Sequence, residues 1–256
     1  MRIVAETRSF AEPVAKASLL NFLRENNRLT REHAVTTELI LDKHSVRADV
    51  VLCSSDGLHC FEIKTQRDTL SRLDNQVATY ATHSDSVTVV AATKHINAVL
   101  SRVPDYVGVF ELLSFSGIRV VREASASPVQ DPDAMLSILP VGEMVIRLGI
   151  KGRLRADVLK AAQLLDAEQK KTAVRSFFRE RYSSTTMALL KAARRRSILP
   201  KDLVHLQRWL KVQQPAAELD EQPPIISSGC ADVHMYRQVG RSFSPVPDDV
   251  RRLLLS

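Results

Sequence analysis

Apolar residues in the first half of the chain switch repeatedly between helical and strand spacing. Val14, Leu19, Leu20 and Leu23 share one face of a 3.6-residue period, which predicts an amphipathic helix over about 14–24. A second helix is expected over about 31–41, with Thr30 as its N-cap. Residues 49–53 and 58–64 read as strands joined by Ser54-Ser55-Asp56-Gly57, where glycine accepts the positive φ such turns need. Leu70, Leu73, Val77 and Tyr80 step by three and four, predicting a helix over 67–82. The valine-rich run 87–92 reads as a central strand and 96–102 as a short helix. A final strand pair, 107–113 and 118–121, flanks Ser114-Phe115-Ser116-Gly117. This order predicts an α/β fold, a mixed β-sheet flanked by helices, followed by a mainly α-helical basic region.

Residues 124–133 form a polar linker with Pro128 and Pro132. The pattern is then helical to about residue 211, broken at Pro140 and Pro200; five of the 11 prolines fall beyond residue 213. Three segments are therefore expected: a sheet-containing domain over 1–123, a basic helical region over 134–212 and an irregular tail over 213–256, in which Pro247-Asp248-Asp249 opens a terminal helical turn. Trp209, the only tryptophan, is expected to pack its helix.

The 256 residues are 45% hydrophobic and 25% charged, ordinary for a soluble globular protein. No apolar run approaches the ~18 residues that span a bilayer, and the first residues lack a signal peptide's apolar stretch, so a cytoplasmic protein without membrane contact is expected. Cys53, Cys60 and Cys230 are an odd, scattered set, with Cys53 and Cys60 not opposite each other on the hairpin; no disulfide is expected. The net charge of +7 is unevenly spread. Residues 147–211 hold 17 Lys and Arg against 5 Asp and Glu, whereas residues 1–146 sum to −3 and 218–256 to −2. That division suits a catalytic module joined to an electrostatic clamp for a polyanion, with Arg194, Arg195 and Arg196 its densest cluster; a solvated helix face explains it equally well.

The candidate chemistry lies on the hairpin. Asp49 sits on one arm, and Glu62, Ile63 and Lys64 on the other, with Glu62 and Lys64 on one strand face. Two carboxylates and a lysine suit a hard divalent cation, Mg²⁺ or Mn²⁺, and a water that attacks a phosphodiester. Plain strand ion pairs, Asp49 and Glu62 with Arg47 and Lys64, are the alternative. Gln76 and Tyr80, one helical turn apart, present to one side, and Arg67 and Arg72 are candidate phosphate contacts. His95 reads as an ordinary helix-start residue, and no Ser–His–Asp arrangement, zinc spacing or phosphate-cradling glycine loop is found.

Ala48-Asp49, Glu62-Ile63-Lys64 and Gln76-Val77-Ala78-Thr79-Tyr80, in that order, resemble the PD-(D/E)XK nuclease superfamily and its RecB-like branch, whose Q-x-x-x-Y box follows the E-x-K strand. Residues 37–112 also resemble a small bacterial family through Glu38-Leu39, Arg47-Ala48-Asp49, Glu62-Ile63-Lys64, Arg67-Asp68-Thr69-Leu70 and Val103-Pro104-Asp105. The resemblance implies a metal-dependent nuclease, an endonuclease acting on DNA ahead of RNA. Asp49, Glu62 and the Ile63 carbonyl would hold the metal, with Glu38 as a further acid. Lys64 would orient the attacking water, and Gln76 and Tyr80 would contact nucleic acid or brace the site. Three cysteines fall short of the four that iron–sulfur relatives of that branch carry, so no cluster is expected. Two other readings fit the same residues: a non-catalytic nucleic-acid-binding protein that keeps the fold, and an RNA-directed nuclease acting as a toxin or defence effector. A homo-oligomer or a protein partner through the C-terminal region is also compatible.

Overall fold

Strands form where β-branched residues can bury both faces of one sheet. The computed structural model describes residues 11–41, 46–113 and 117–206, which fall within one compact unit. The expectations for residues 213–256, for Cys230 and for Trp209 lie outside the described residues. Six strands lie side by side in chain order: β1 (Ala34–Leu41), β2 (Val46–Cys53), β3 (Leu58–Lys64), β4 (Ser86–Ala92), β5 (Gly108–Leu112) and β6 (Ile118–Arg122). The first three are antiparallel, β4 and β5 run parallel to β3, and β6 returns antiparallel. The mixed sheet expected from the sequence is therefore present.

Helices cover both faces. One face places Val51, Cys60, Val89 and Val109 in a core with α2 (Leu73–His83), α3 (Ile96–Leu100), α4 (Pro132–Met135), α5 (Val141–Leu148), α6 (Arg155–Ala162) and the first part of α7 (Ala167–Ala192). The other face buries Val35, Val50, Phe61, Ile63, Val90 and Phe110 under α1 (Glu12–Glu25), the end of α7 and a 3-10 turn at Pro200–Leu206. Helix α7 opens with a capping box between Asp166 and Gln169. Its 26 residues span about 39 Å, long enough to pass from one face to the other. Phe178 lies in the first core and Leu189 in the second. Between them, the Thr186 hydroxyl accepts the Val35 amide at 2.8 Å and covers the free edge of β1. The basic helices thus share the sheet's cores. The 124–133 segment is pinned too: Ser127 donates to the Ala81 carbonyl (2.6 Å) and the Asp131 amide to the Thr82 carbonyl (2.9 Å).

Two expected elements differ. Residues 34–41 form β1, not the end of a helix, because Val35, Thr36, Thr37 and Ile40 are β-branched and pair with β2 along the strand. Thr30 caps no helix; its hydroxyl accepts the Glu32 amide in a local turn (3.3 Å). Helix α2 starts at Leu73 and not at Arg67, because the Asp68 carboxylate accepts both the amide (2.7 Å) and the hydroxyl (2.6 Å) of Thr65 and folds that stretch into a turn. In the β2–β3 connection Gly57 has φ +141°, and a side chain there would collide with the Asp85 carboxylate. Asp85 binds the Leu58 amide, Arg175 and Gln130, each at 2.7 Å, so it ties the connection to α7. Cys53 and Cys60 are buried free thiols.

Candidate metal centre

Strand register aligns three acids across β1, β2 and β3. The pairs Thr37–Val50 and Leu39–Ala48 bracket Glu38 opposite Asp49, and the Val50–Phe61 pair puts Asp49 beside Glu62. The ladder is distorted there. Glu38 adopts φ +58°, a left-handed conformation that costs a side chain on the order of 1 kcal/mol. Alternation breaks at the same point: Ala34 and Leu41, seven apart, enter one core, as do Ala48 and Val51. Without the break, period two would send these pairs to opposite faces. Asp49 uses its free position to accept the Ile63 amide at 2.7 Å.

Glu62 and Lys64 point to the face covered by α2, where both are buried. Lys64 Nζ donates to Glu62 Oε1 (2.6 Å) and to Gln76 Oε1 (2.8 Å). Tyr80 donates to Glu62 Oε2 (2.6 Å) and lies 2.8 Å from the Arg47 carbonyl. Gln76 and Tyr80, one turn apart on α2, therefore brace Lys64 and Glu62. Tyr80 has no exposed surface.

Helix α1 supplies two residues that strand-motif reading misses. Lys16 Nζ donates to Glu12 Oε1 (2.5 Å) and to Glu38 Oε1, and lies 3.9 Å from Asp49 Oδ1. Glu38 Oε2 also meets Arg47 Nε at 2.5 Å. A signal was present: Lys16 lies in line with Leu19, Leu20 and Leu23, the one charge on the apolar stripe of α1.

The electrostatics favour a cation. Burial, then the charge of Glu62, push the Asp49 carboxyl up to about 7, against the pull of the Ile63 amide and Lys16. Burial and the Glu62 carboxylate likewise raise the Tyr80 phenol far above its ordinary value, so it stays a donor. Burial alone would lower Lys16, but its hydrogen bonds to Glu12 and Glu38 outweigh it and the net direction is up. Glu12, Glu38 and Asp49 each offer an oxygen, all within 4.8 Å of one another. Carboxylate oxygens are the donor type that Mg²⁺ or Mn²⁺ takes, and Lys16 Nζ already lies among these three.

Other candidate residues stand apart. Arg67 and Arg72 are exposed just before α2. Arg194 and Arg195 are exposed, whereas both terminal nitrogens of Arg196 are bound to buried Asp202 (2.5 and 2.8 Å). Arg24, at the far end of α1, donates to the carbonyls of Ala193 and Arg196. Glu12 and Arg24 are 12 positions apart on α1, about 18 Å along its axis, so the arginine cluster lies at the helix end opposite Glu12. Much of the positive charge of 147–206 is internal: Arg147 bonds Glu143 and Glu180, Lys170 bonds Asp133, Arg175 bonds Asp85, and Arg155 and Arg179 bond backbone carbonyls. A cavity of about 760 Å³ lies beside the first half of β3, away from the acids. There His59 joins Ser54 (3.0 Å) to Ser86 (2.5 Å).

Among the described residues no helix is long and apolar enough to cross a membrane. A family profile described as Bacteriophage P4 protein cII matches residues 5–207. Protein cII of Enterobacteria phage P4 is 33% identical over 103 residues, 40% of this chain and 38% of that protein, so the chain covers less than half of the relative's length. No solved structure matches the chain.

Proposed function

The chain belongs to the Bacteriophage P4 protein cII family, and we propose that it is a metal-dependent nuclease that hydrolyses phosphodiester bonds, of DNA in the first instance. The observation that carries this reading is the convergence of Asp49, Glu62 and Lys64 beside Glu38, on a strand crossing whose geometry departs from regular pairing. Residues that merely made strand ion pairs would need neither a left-handed Glu38 nor a half-buried carboxylate raised to about 7.

Asp49, Glu62 and the Ile63 carbonyl would hold the divalent ion, with Glu38 beside them. When bound, the ion supplies a water of lowered pKa and neutralises charge developing on the phosphate. Of the three ammonium protons of Lys64, two are fixed by Glu62 and Gln76. Among the described residues the third has no partner and would hold the attacking water or a phosphate oxygen, which matters most as charge builds on the equatorial oxygens. Tyr80 keeps the Glu62 carboxylate from swinging away. The exposed Arg67 and Arg72, nearer in sequence to the acids than Arg194 to Arg196, suit contacts to the flanking backbone.

The test is incubation of the purified chain with supercoiled, linear and single-stranded DNA and with RNA, under Mg²⁺, Mn²⁺ or EDTA. Divalent-dependent cleavage of DNA supports the reading; cleavage of RNA alone makes the chain an RNA-directed nuclease. Binding without cleavage of any substrate overturns catalysis and leaves a nucleic-acid-binding protein.

A further inference from the structure

We propose that Lys16 is a built-in cation that takes the place of a second divalent ion, so that the site loads one ion and not two; this rests on the metal-dependent reading above. The ammonium sits where three carboxylates converge. Glu12, Glu38 and Asp49 present oxygens within 4.8 Å of one another, and Lys16 Nζ donates to the first two while lying 3.9 Å from the third. Two of the three ammonium protons go to Glu12 and Glu38, and Asp49 adds its charge from 3.9 Å. The side chain is only 7% exposed and is carried on the packed stripe of α1, so it cannot swing into solvent without leaving the core.

Charge balance points the same way. Four carboxylates, Glu12, Glu38, Asp49 and Glu62, face the cations Lys16, Lys64 and Arg47. These side chains sum to one unit of negative charge, and Asp68 adds a further acid near Glu12. One divalent ion turns that sum to one positive charge, which matches a single phosphodiester. A second would add two more positive charges unless it displaced Lys16 from the two acids it bonds, Glu12 and Glu38. Glu12 is therefore assigned to holding Lys16, and Asp49 with Glu62 to the ion. Hydrolysis would then run with one ion, and Lys16 would supply fixed positive charge beside Asp49.

The experiment is Mn²⁺ binding to the full chain without nucleic acid, followed by isothermal titration calorimetry and by the loss of the free-Mn²⁺ electron paramagnetic resonance signal. The wild type should bind one ion per chain. Lys16→Met, which keeps length and removes charge, should bind two, and adding Glu12→Gln should return the count to one. Two ions on the wild type, or one ion of unchanged affinity on Lys16→Met, overturns the assignment of Lys16. An empty wild type with one ion on Lys16→Met overturns it as well, because Lys16 would then occupy the first position. No ion on any protein removes the metal-dependent reading itself, and with it this one. Should Lys16→Met fail to fold, the wild-type count still decides, with two ions refuting the proposal.

Discussion

Replacing Asp49 by asparagine should stabilise the metal-free protein at pH 8. Burial and the neighbouring Glu62 charge raise the Asp49 carboxyl from its ordinary 3.8 to about 7. An acid with a higher pKa folded than unfolded holds its proton more tightly in the folded state, so its contribution to stability is present at low pH and is lost as pH rises from about 4 to about 7. At roughly 1.4 kcal/mol per pH unit, that gap sets a ceiling of ~4 kcal/mol for the cost of carrying the charge at pH 8. Asparagine removes the charge and keeps an oxygen for the Ile63 amide, but it gives up the charge-assisted bond and the attraction of Lys16. A net gain of about 2 kcal/mol is expected, seen as a melting temperature raised by about 4–8 °C. The assay is thermal unfolding in EDTA at pH 5 and pH 8. The gain should appear at pH 8 and vanish at pH 5, where the wild-type carboxyl is protonated. Mn²⁺ should stabilise the wild type at pH 8 and leave the variant unchanged. A variant destabilised equally at both pH values would refute the account of a strained, cation-seeking carboxylate.

Lys64→Ala should lower kcat by a large factor, on the order of 100-fold, with substrate affinity nearly unchanged, because its free proton serves mainly the transition state; normal turnover with weak binding would make it a phosphate contact. Tyr80→Phe should cost about 1–2 kcal/mol by chemical denaturation, because buried Glu62 loses a donor, and should weaken Mn²⁺ affinity; no change in either would mean that the hydroxyl braces nothing. Arg196→Ala should lower the denaturation midpoint, since Arg196 first among other groups holds the buried Asp202 carboxyl far below its ordinary range. Arg194→Ala with Arg195→Ala should leave stability unchanged. The same pair tests the clamp: removing an arginine that neutralises a phosphate should flatten the salt dependence of nucleic-acid affinity by roughly 0.7–0.9 in log–log slope, and an unchanged slope would leave those arginines a solvated face.

Strands β3 and β4 were legible because Phe61, Ile63 and the valines of 87–90 alternate or run together without competing helical spacing. β1 was not: Ala34, Val35, Leu39 and Ile40 satisfy helical and strand spacing alike, and only pairing with β2 decides between them. That ambiguity concealed the geometry of Glu38, which stands opposite Asp49 because β1 is a strand. The E-x-K triplet could be read because period two alone puts Glu62 and Lys64 on one face. Glu12 and Lys16 could not be tied to them, since closing 22 residues from Lys16 to Glu38 is a tertiary event that no local spacing records. The basic stretch looked like one electrostatic surface for the same reason: its ion pairs with Asp85, Asp133 and Glu180 join residues far apart in the chain or on different helices.

The most direct test of the central claim is the rate of supercoiled DNA cleavage in Mg²⁺ by the wild type beside folded Asp49→Asn. Divalent-dependent nicking by the wild type, abolished in the variant and in EDTA, is the predicted result. Equal rates for the two proteins, or cleavage that persists in EDTA, would contradict it.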